Sequence, residues 1–219
     1  MLARDYIDEI CSKYTHAVFD LDGTLIDSMP VWKNSARNFL RTLGIEAEAN
    51  LNDVLFNLSL IHGAESIQKT YTPNLEIQQI LDGVEGVVVG AYEKTIPLRN
   101  GALEFLQEFK ARGVRCSIAT SNDMPLVKLA LERLKVAQFF ESIFTCTDLK
   151  TSKDEPRVYL EAMQSIGGAI ENTIVFEDAL LPIKTATNAG FAVAAMQDSF
   201  SIDDWPQICN LATYSFTDF

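Results

Sequence analysis

Apolar residues follow two rhythms along this chain. Short compact runs read as buried strands: Tyr14–Leu21, "RCSIAT" at 115–120, "SIFTCTD" at 142–148, "TIVFED" at 173–178 and "FAVAAM" at 191–196. Between them, "NGALEFLQEFKARGV", "PLVKLALERLKV", "EPRVYLEAMQSIGG" and "PIKTATNAG" place apolar residues at helical spacing, and glycines close several of them. Regular strand–helix alternation predicts a parallel, doubly wound α/β sheet, in which ligands lie beyond the carboxyl ends of the strands. Residues 29–96 break the alternation. "MPVWKNSARNFLRTL" starts with a proline, places Val31, Trp32, Phe39, Leu40 and Leu43 at helical spacing and stops at Gly44. Leu51–Ile67 and Leu75–Tyr92 also read as helical, separated by "YTPN", although "GVVVG" at 86–90 has a strand's local composition. The predicted organisation is a split α/β core, 1–28 with 97–219, and an all-helical insert at 29–96. A short amphipathic helix, "MLARDYIDEICSKY", precedes the first strand.

Composition narrows the partners. Lys and Arg number 18 against 30 Asp and Glu, for a net charge of −12. Nucleic acids and acidic membranes call for a basic footprint, so neither is expected as a partner; a small anion needs only a local cluster of donors. Cys11, Cys116, Cys146 and Cys209 are scattered, with no CxxC pair, which fits reduced thiols and a cytoplasmic setting better than a disulfide framework or a zinc site. The apolar runs fall short of the roughly 20 residues of a membrane span, and the acids near the N-terminus are unlike a signal peptide. The sequon Asn57-Leu-Ser59 then carries no meaning. Nothing in the sequence indicates a particular oligomeric state.

The strand ends carry the chemistry. Asp20 and Asp22 close the first run, with Gly23-Thr24 behind them; residues two apart on a strand share a face, so their carboxylates repel unless something compensates. Thr120, Ser121 and Asn122 end the second run, Lys150 and Lys153 follow the third, and Glu177-Asp178 end the fourth. Four acids suit a hard, oxygen-seeking cation such as Mg²⁺. A hydroxyl with successive backbone amides at 120–122 suits phosphate oxygens, and a lysine suits phosphate charge. Together they describe phosphoryl transfer: an ionised aspartate attacks phosphorus, and a second carboxyl first protonates the leaving oxygen and then deprotonates water.

"FDLDGTLIDS", "SIATSND", the Lys153 region and "VFEDA" resemble the four motifs of the haloacid dehalogenase superfamily, in their usual order. The likeness covers essentially the whole chain and is closest to the helical-cap phosphatase and β-phosphoglucomutase branch, whose cap is inserted after the first motif. It implies a Rossmann-like core with an all-helical cap, Asp20 as nucleophile and Asp22 as general acid/base. Thr120 and Lys153 are then catalytic, and Gly23, Thr120, Ser121, Asn122 and Lys153 hold phosphate. Mg²⁺ falls to Asp20, Asp22 (through its carbonyl), Asp178 and Glu177. Relatives that dehalogenate typically lack the second aspartate of the first motif, so Asp22 points to phosphate chemistry. The third motif departs from the usual Lys-Pro-x-Pro-Asp: here it reads "SKDEPRVY", with Pro156 in place, and Lys150 stands as a second candidate beside Lys153.

The expected activity is Mg²⁺-dependent hydrolysis of a small phosphorylated metabolite, a sugar phosphate or similar monoester, through an aspartyl-phosphate. The nearest alternative is a phosphomutase, which needs a cap base for a second phosphate; Lys33, Arg37, Arg41, Lys69 and Lys94 are there, but in no recognisable phosphate motif. A non-catalytic binding protein that keeps the fold is a further alternative. An isolated DxD also occurs in nucleotide-sugar transferases, and paired acids also serve glycoside hydrolysis, which has no call for a lysine and hydroxyl cradle. Asp27 and Ser28 read as hinge residues, His62 as surface or packing, and Trp32 and Phe39 as cap core.

Overall fold

The structure is a computed structural model describing residues 1–56 and 58–219; Asn57 of the sequon lies outside the described residues. In chain order the elements are α1 (Ile7–Lys13), β1 (His16–Phe19), α2 (Met29–Thr42), α3 (Leu51–Phe56), α4 (Leu60–Thr70), α5 (Ile77–Lys94), α6 (Ala102–Ala111), β2 (Arg115–Thr120), α7 (Met124–Arg133), β3 (Ser142–Thr145), α8 (Cys146–Leu149), α9 (Arg157–Ser165), β4 (Thr173–Glu177), α10 (Leu180–Asn188), β5 (Ala192–Met196), α11 (Trp205–Leu211) and β6 (Tyr214–Phe216). They fall into two compact units, Met1–Met29 with Pro97–Phe219, and Pro30–Ile96.

In the first unit the strands form one parallel sheet in the order β3-β2-β1-β4-β5-β6. The chain winds outward from β1 to β3 and then returns to place β4 on the other side of β1. The winding therefore reverses between β1 and β4, where a doubly wound sheet opens a crevice. Sheet alternation decides what each strand end presents. Val18 and Val175, paired in register, face Val158 and Ala162 of α9 and Ile183 of α10. Phe19 and Phe176 take the other face, stacked at 4.4 Å, with Phe105 and Phe109 of α6 packed around them. Both faces are covered, which explains why "HAVF" and "TIVFE" are buried throughout. By the same parity Asp20 and Glu177, two residues beyond Val18 and Val175, belong to the α9 face.

The doubly wound α/β class holds, with local differences. The run "SIFTCTD" does not stay extended: the Thr145 hydroxyl accepts the Asp148 N–H at 3.0 Å and starts α8 at Cys146, an N-cap that turns the chain out of the strand. The run 51–67 divides between α3 and α4, and "GVVVG" is helical inside α5. The sheet gains a sixth strand, β6, after α11.

The second unit is built on helices. Its core contains Ala36, Phe39 and Leu40 of α2, Leu51 of α3, Ala64 and Ile67 of α4, and Ile80 of α5. Gly83 of α5 is needed for close packing: a Cβ there would lie 2.1 Å from the Phe39 ring. Phe39 is thus core, whereas Trp32 is 39% exposed and donates its indole N–H to the Tyr92 hydroxyl at 3.0 Å. His62 is exposed beside Ser59. Arg37 donates to the carbonyls of Ala47, Glu48 and Ala49 at 3.2, 2.9 and 3.0 Å, fixing the turn before α3.

Where the helical insert leaves and rejoins the first unit, Ile26 pairs antiparallel with Leu98, and the Asp27 N–H donates to the Pro97 carbonyl at 3.0 Å. Among the described residues no helix is long and apolar enough to cross a membrane.

Candidate active site

The Asp20 N–H donates to the Phe176 carbonyl at 2.9 Å, carrying the β1–β4 ladder one residue past β1 and fixing its side chain at the crevice. The chain then turns sharply: the Leu25 and Ile26 amides both return to the Leu21 carbonyl, at 2.9 and 3.0 Å. Gly23 makes the turn possible. Its φ is +82°, and a Cβ on it would stand 2.3 Å from a carboxylate oxygen of Asp178. A glycine here therefore lets the end of β4 press against the turn after β1. The buried Thr24 hydroxyl donates to Asp178 Oδ1 at 3.3 Å, and Ser201 Oγ donates to the Asp178 carbonyl at 2.7 Å.

Carboxylate oxygens of Asp20, Glu177 and Asp178 all lie within 4.8 Å of one another, and all three residues are buried. Lys153, also buried, donates to Asp20 and, at 2.5 Å, to Glu177 Oε1. One ammonium is too little for three acids. Burial pushes the Asp20 carboxyl up to about 8, against the pull of Lys153 and aided by repulsion from Glu177 and Asp22. Burial, with Asp20 and Glu177 nearby, likewise raises Asp178 well above the usual carboxylate range. Burial alone would lower Lys153, but the two carboxylates beside it raise it above its ordinary value, so it stays charged. An all-oxygen set short of positive charge fits a hard divalent cation, and this crowding is the observation that makes Mg²⁺ chemically suitable here.

Asp22 lies outside that cluster. Its Oδ1 accepts from Ser28 Oγ at 2.6 Å and its Oδ2 from Asn122 Nδ2 at 2.8 Å. Ser28, read from sequence as a hinge residue, thus also orients this carboxylate. Thr120 is buried at the end of β2, and its Oγ1 accepts the Asn122 amide at 3.1 Å, leaving its own O–H to donate. The Ser121 hydroxyl lies 3.9 Å from the Cys146 thiol. Of the two candidate lysines only Lys153 reaches the acids: Lys150 is exposed in a left-handed conformation, φ +52°, at the end of α8.

Two further residues went unnoticed in the sequence. Tyr159, on the buried face of α9, donates its hydroxyl to Glu177 Oε1 at 2.7 Å. The only sequence signal was a phenol six residues after Lys153 on an otherwise apolar helix face. Arg99 donates to the Gly23 carbonyl at 2.7 Å, to the Gln197 carbonyl at 2.8 Å and to the Thr217 carbonyl at 2.9 Å, with Asp218 at 3.3 Å from its Nε. In sequence it was one base among 18.

Known proteins resemble this chain in sequence and in fold. Residues 17–196 match the family described as haloacid dehalogenase-like hydrolase. Hexitol phosphatase A of Escherichia coli is 28% identical over 184 residues, covering 82% of this chain and 81% of that protein. Phosphoglycolate phosphatase of Agrobacterium fabrum is 25% identical, covering 88% of this chain and 83% of its own. The crystal structure of β-phosphoglucomutase from Clostridium difficile superposes with a TM-score of 0.66 at 15% identity, covering 94% of this chain and 91% of that one, and so shares the fold.

Proposed function

The chain belongs to the haloacid dehalogenase-like hydrolase family and acts on phosphoric monoesters; from that membership we propose a Mg²⁺-dependent phosphatase for small phosphorylated sugars or similar metabolites, acting in the cytoplasm through an aspartyl-phosphate on Asp20. Residues 1–28 with 97–219 serve as the phosphotransfer core and residues 29–96 as the cap. One observation carries this reading: at the end of β1, Asp20 joins Lys153 and two further acids, while Asp22, two residues on, is held outside that cluster by Ser28 and Asn122.

An Asp20 oxygen attacks phosphorus, and the departing alcohol oxygen takes its proton from Asp22. Asp22 then removes a proton from water, whose oxygen attacks the aspartyl-phosphate and frees both Asp20 and inorganic phosphate. Ser28 and Asn122 aim the Asp22 carboxyl for both proton transfers. Thr120, Ser121, Asn122, Gly23 and Lys153 hold the phosphoryl oxygens, with Lys153 countering their charge. Asp20, Glu177 and Asp178 with the Asp22 carbonyl would hold Mg²⁺, which when bound supplies the positive charge a phosphoryl group requires.

Hydrolysis is favoured over mutase chemistry by the partners of two cap bases. Arg37 is engaged with three carbonyls of its own unit, and Arg41 lies 3.8 Å from Glu46. The test is a panel of phosphorylated sugars and polyols assayed with Mg²⁺ and with a chelator. Inorganic phosphate is the expected product, and chelation is expected to reduce its release to background. Conversion of a sugar 1-phosphate to its 6-phosphate without phosphate release would replace this reading with the mutase; no turnover of any ester would revive a non-catalytic role.

A further inference from the structure

Tyr159 presents a chemical oddity inside α9. Its neighbours on the buried face, Val158, Ala162 and Met163, are apolar, and a phenylalanine would fill the same volume. The hydroxyl is the sole difference, and it is directed at Glu177 Oε1, the oxygen that also takes the Lys153 ammonium. Glu177 Oε1 therefore accepts two donors at 2.7 and 2.5 Å, while among the described residues Oε2 accepts the Asp178 amide, at 3.3 Å. Lys153 in turn bridges Glu177 and Asp20.

We propose that Tyr159 is a positioning residue that divides the Lys153 ammonium between Glu177 and Asp20. The inference rests on the reading of Asp20 as nucleophile. A carboxylate oxygen has two lone pairs, and the phenol occupies one of them with a neutral donor. It thereby weakens the claim of Glu177 on the lysine and leaves more of the ammonium's charge at Asp20. It also fixes a terminal carboxylate torsion that is otherwise broad. A second cation in its place would satisfy Glu177 equally well but would repel Lys153. Without the hydroxyl, Oε1 regains a lone pair and draws the ammonium away from Asp20, the oxygen-bearing group that must meet the phosphoryl group. The consequence falls on the chemical step, because the ammonium and nucleophile lose their mutual alignment, whereas the shape of the substrate site does not change.

The test is Tyr159→Phe, which keeps the ring and its packing. The expected result is a fall in kcat of about tenfold, a factor equivalent to a small misplacement of a charged group, with KM within about twofold of wild type. The thermal midpoint is expected to stay within a few degrees, consistent with the loss of one buried hydrogen bond. A second measurement is independent of turnover: the ¹³Cε resonance of Lys153, followed in lysine-labelled protein without substrate, is expected to shift in the variant. Wild-type kcat would overturn the proposal, as would an unmoved Lys153 resonance, or parallel losses in kcat, KM and thermal midpoint, which would mark Tyr159 as merely structural. Failure of the parent reading looks different: wild-type protein would then release no phosphate, while the resonance would still report where the phenol places the lysine.

Discussion

At the carboxyl ends of β1 and β4, three acids, a lysine, a threonine and a phenol are closed off from water, and hydrogen bonds tie them to one another. The helical unit of residues 30–96 is made differently. Its core is apolar, its arginines are directed at its own carbonyls and acids, and Val54, Leu58, Leu60 and Ile61 stand exposed, Leu60 at 82%. The first region needs particular atoms at particular distances, so few sequences can build it. The second needs helical spacing and a filled interior, which many sequences satisfy. The contrast shows where a change in sequence will be felt in chemistry and where in stability.

Substitutions can break that contrast, beginning with the largest expected effect. Asp20→Asn removes the proposed attacking oxygen's charge and is expected to lower phosphate release about 10⁶-fold, the scale seen when a nucleophile is lost, while far-UV circular dichroism stays unchanged. Wild-type-like release by the purified variant would end the nucleophile assignment. Gly23→Ala tests whether the site needs distances as well as groups. Its new methyl would stand 2.3 Å from an Asp178 oxygen and push that carboxylate aside, and a displacement on the ångström scale is expected to cost about a hundredfold in kcat/KM. Activity within a few-fold of wild type would show that the turn accommodates the methyl. Gly83→Ala sharpens the other side of the comparison. The methyl meets the Phe39 ring, so overpacking is expected to outweigh the gain in helix propensity and lower stability by about 1–3 kcal/mol. Urea unfolding would measure it, and an unchanged midpoint would mean that Phe39 has room to move.

How legible each region was in the sequence follows from the same contrast. The acids were readable because the clustered carboxylates sit at strand ends, where an apolar run stops abruptly at Asp20 and Asp22 or at Glu177 and Asp178. A parallel sheet then brings such ends together by topology alone. Lys153 was readable from its spacing to Pro156, and the structure separates it from Lys150 by burial. Tyr159 was hidden by the packing that makes it important, since a phenol on an apolar helix face counts as core in any periodicity reading. Arg99 was hidden because most of its hydrogen-bond partners are backbone carbonyls spread between Gly23 and Thr217, which leave no mark in composition. The end of β3 was misread since Thr145 has strand character as a β-branched residue and capping character as a hydroxyl, and the hydroxyl prevailed. β6 is only three residues long and pairs at the sheet's edge, too short for alternation to register.

The rung formed by Ile26 with Leu98 and by Asp27 with Pro97 has a consequence for descent. It brings the two chain crossings together within the α/β unit, so a segment of almost any length can be spliced between them without altering the strand order. Domain insertion succeeds at sites of this kind, where the flanking backbone is already joined. A lineage holding this rung constant is free to exchange, lengthen or redesign its helical segment while the acids at the ends of β1 and β4 are inherited intact.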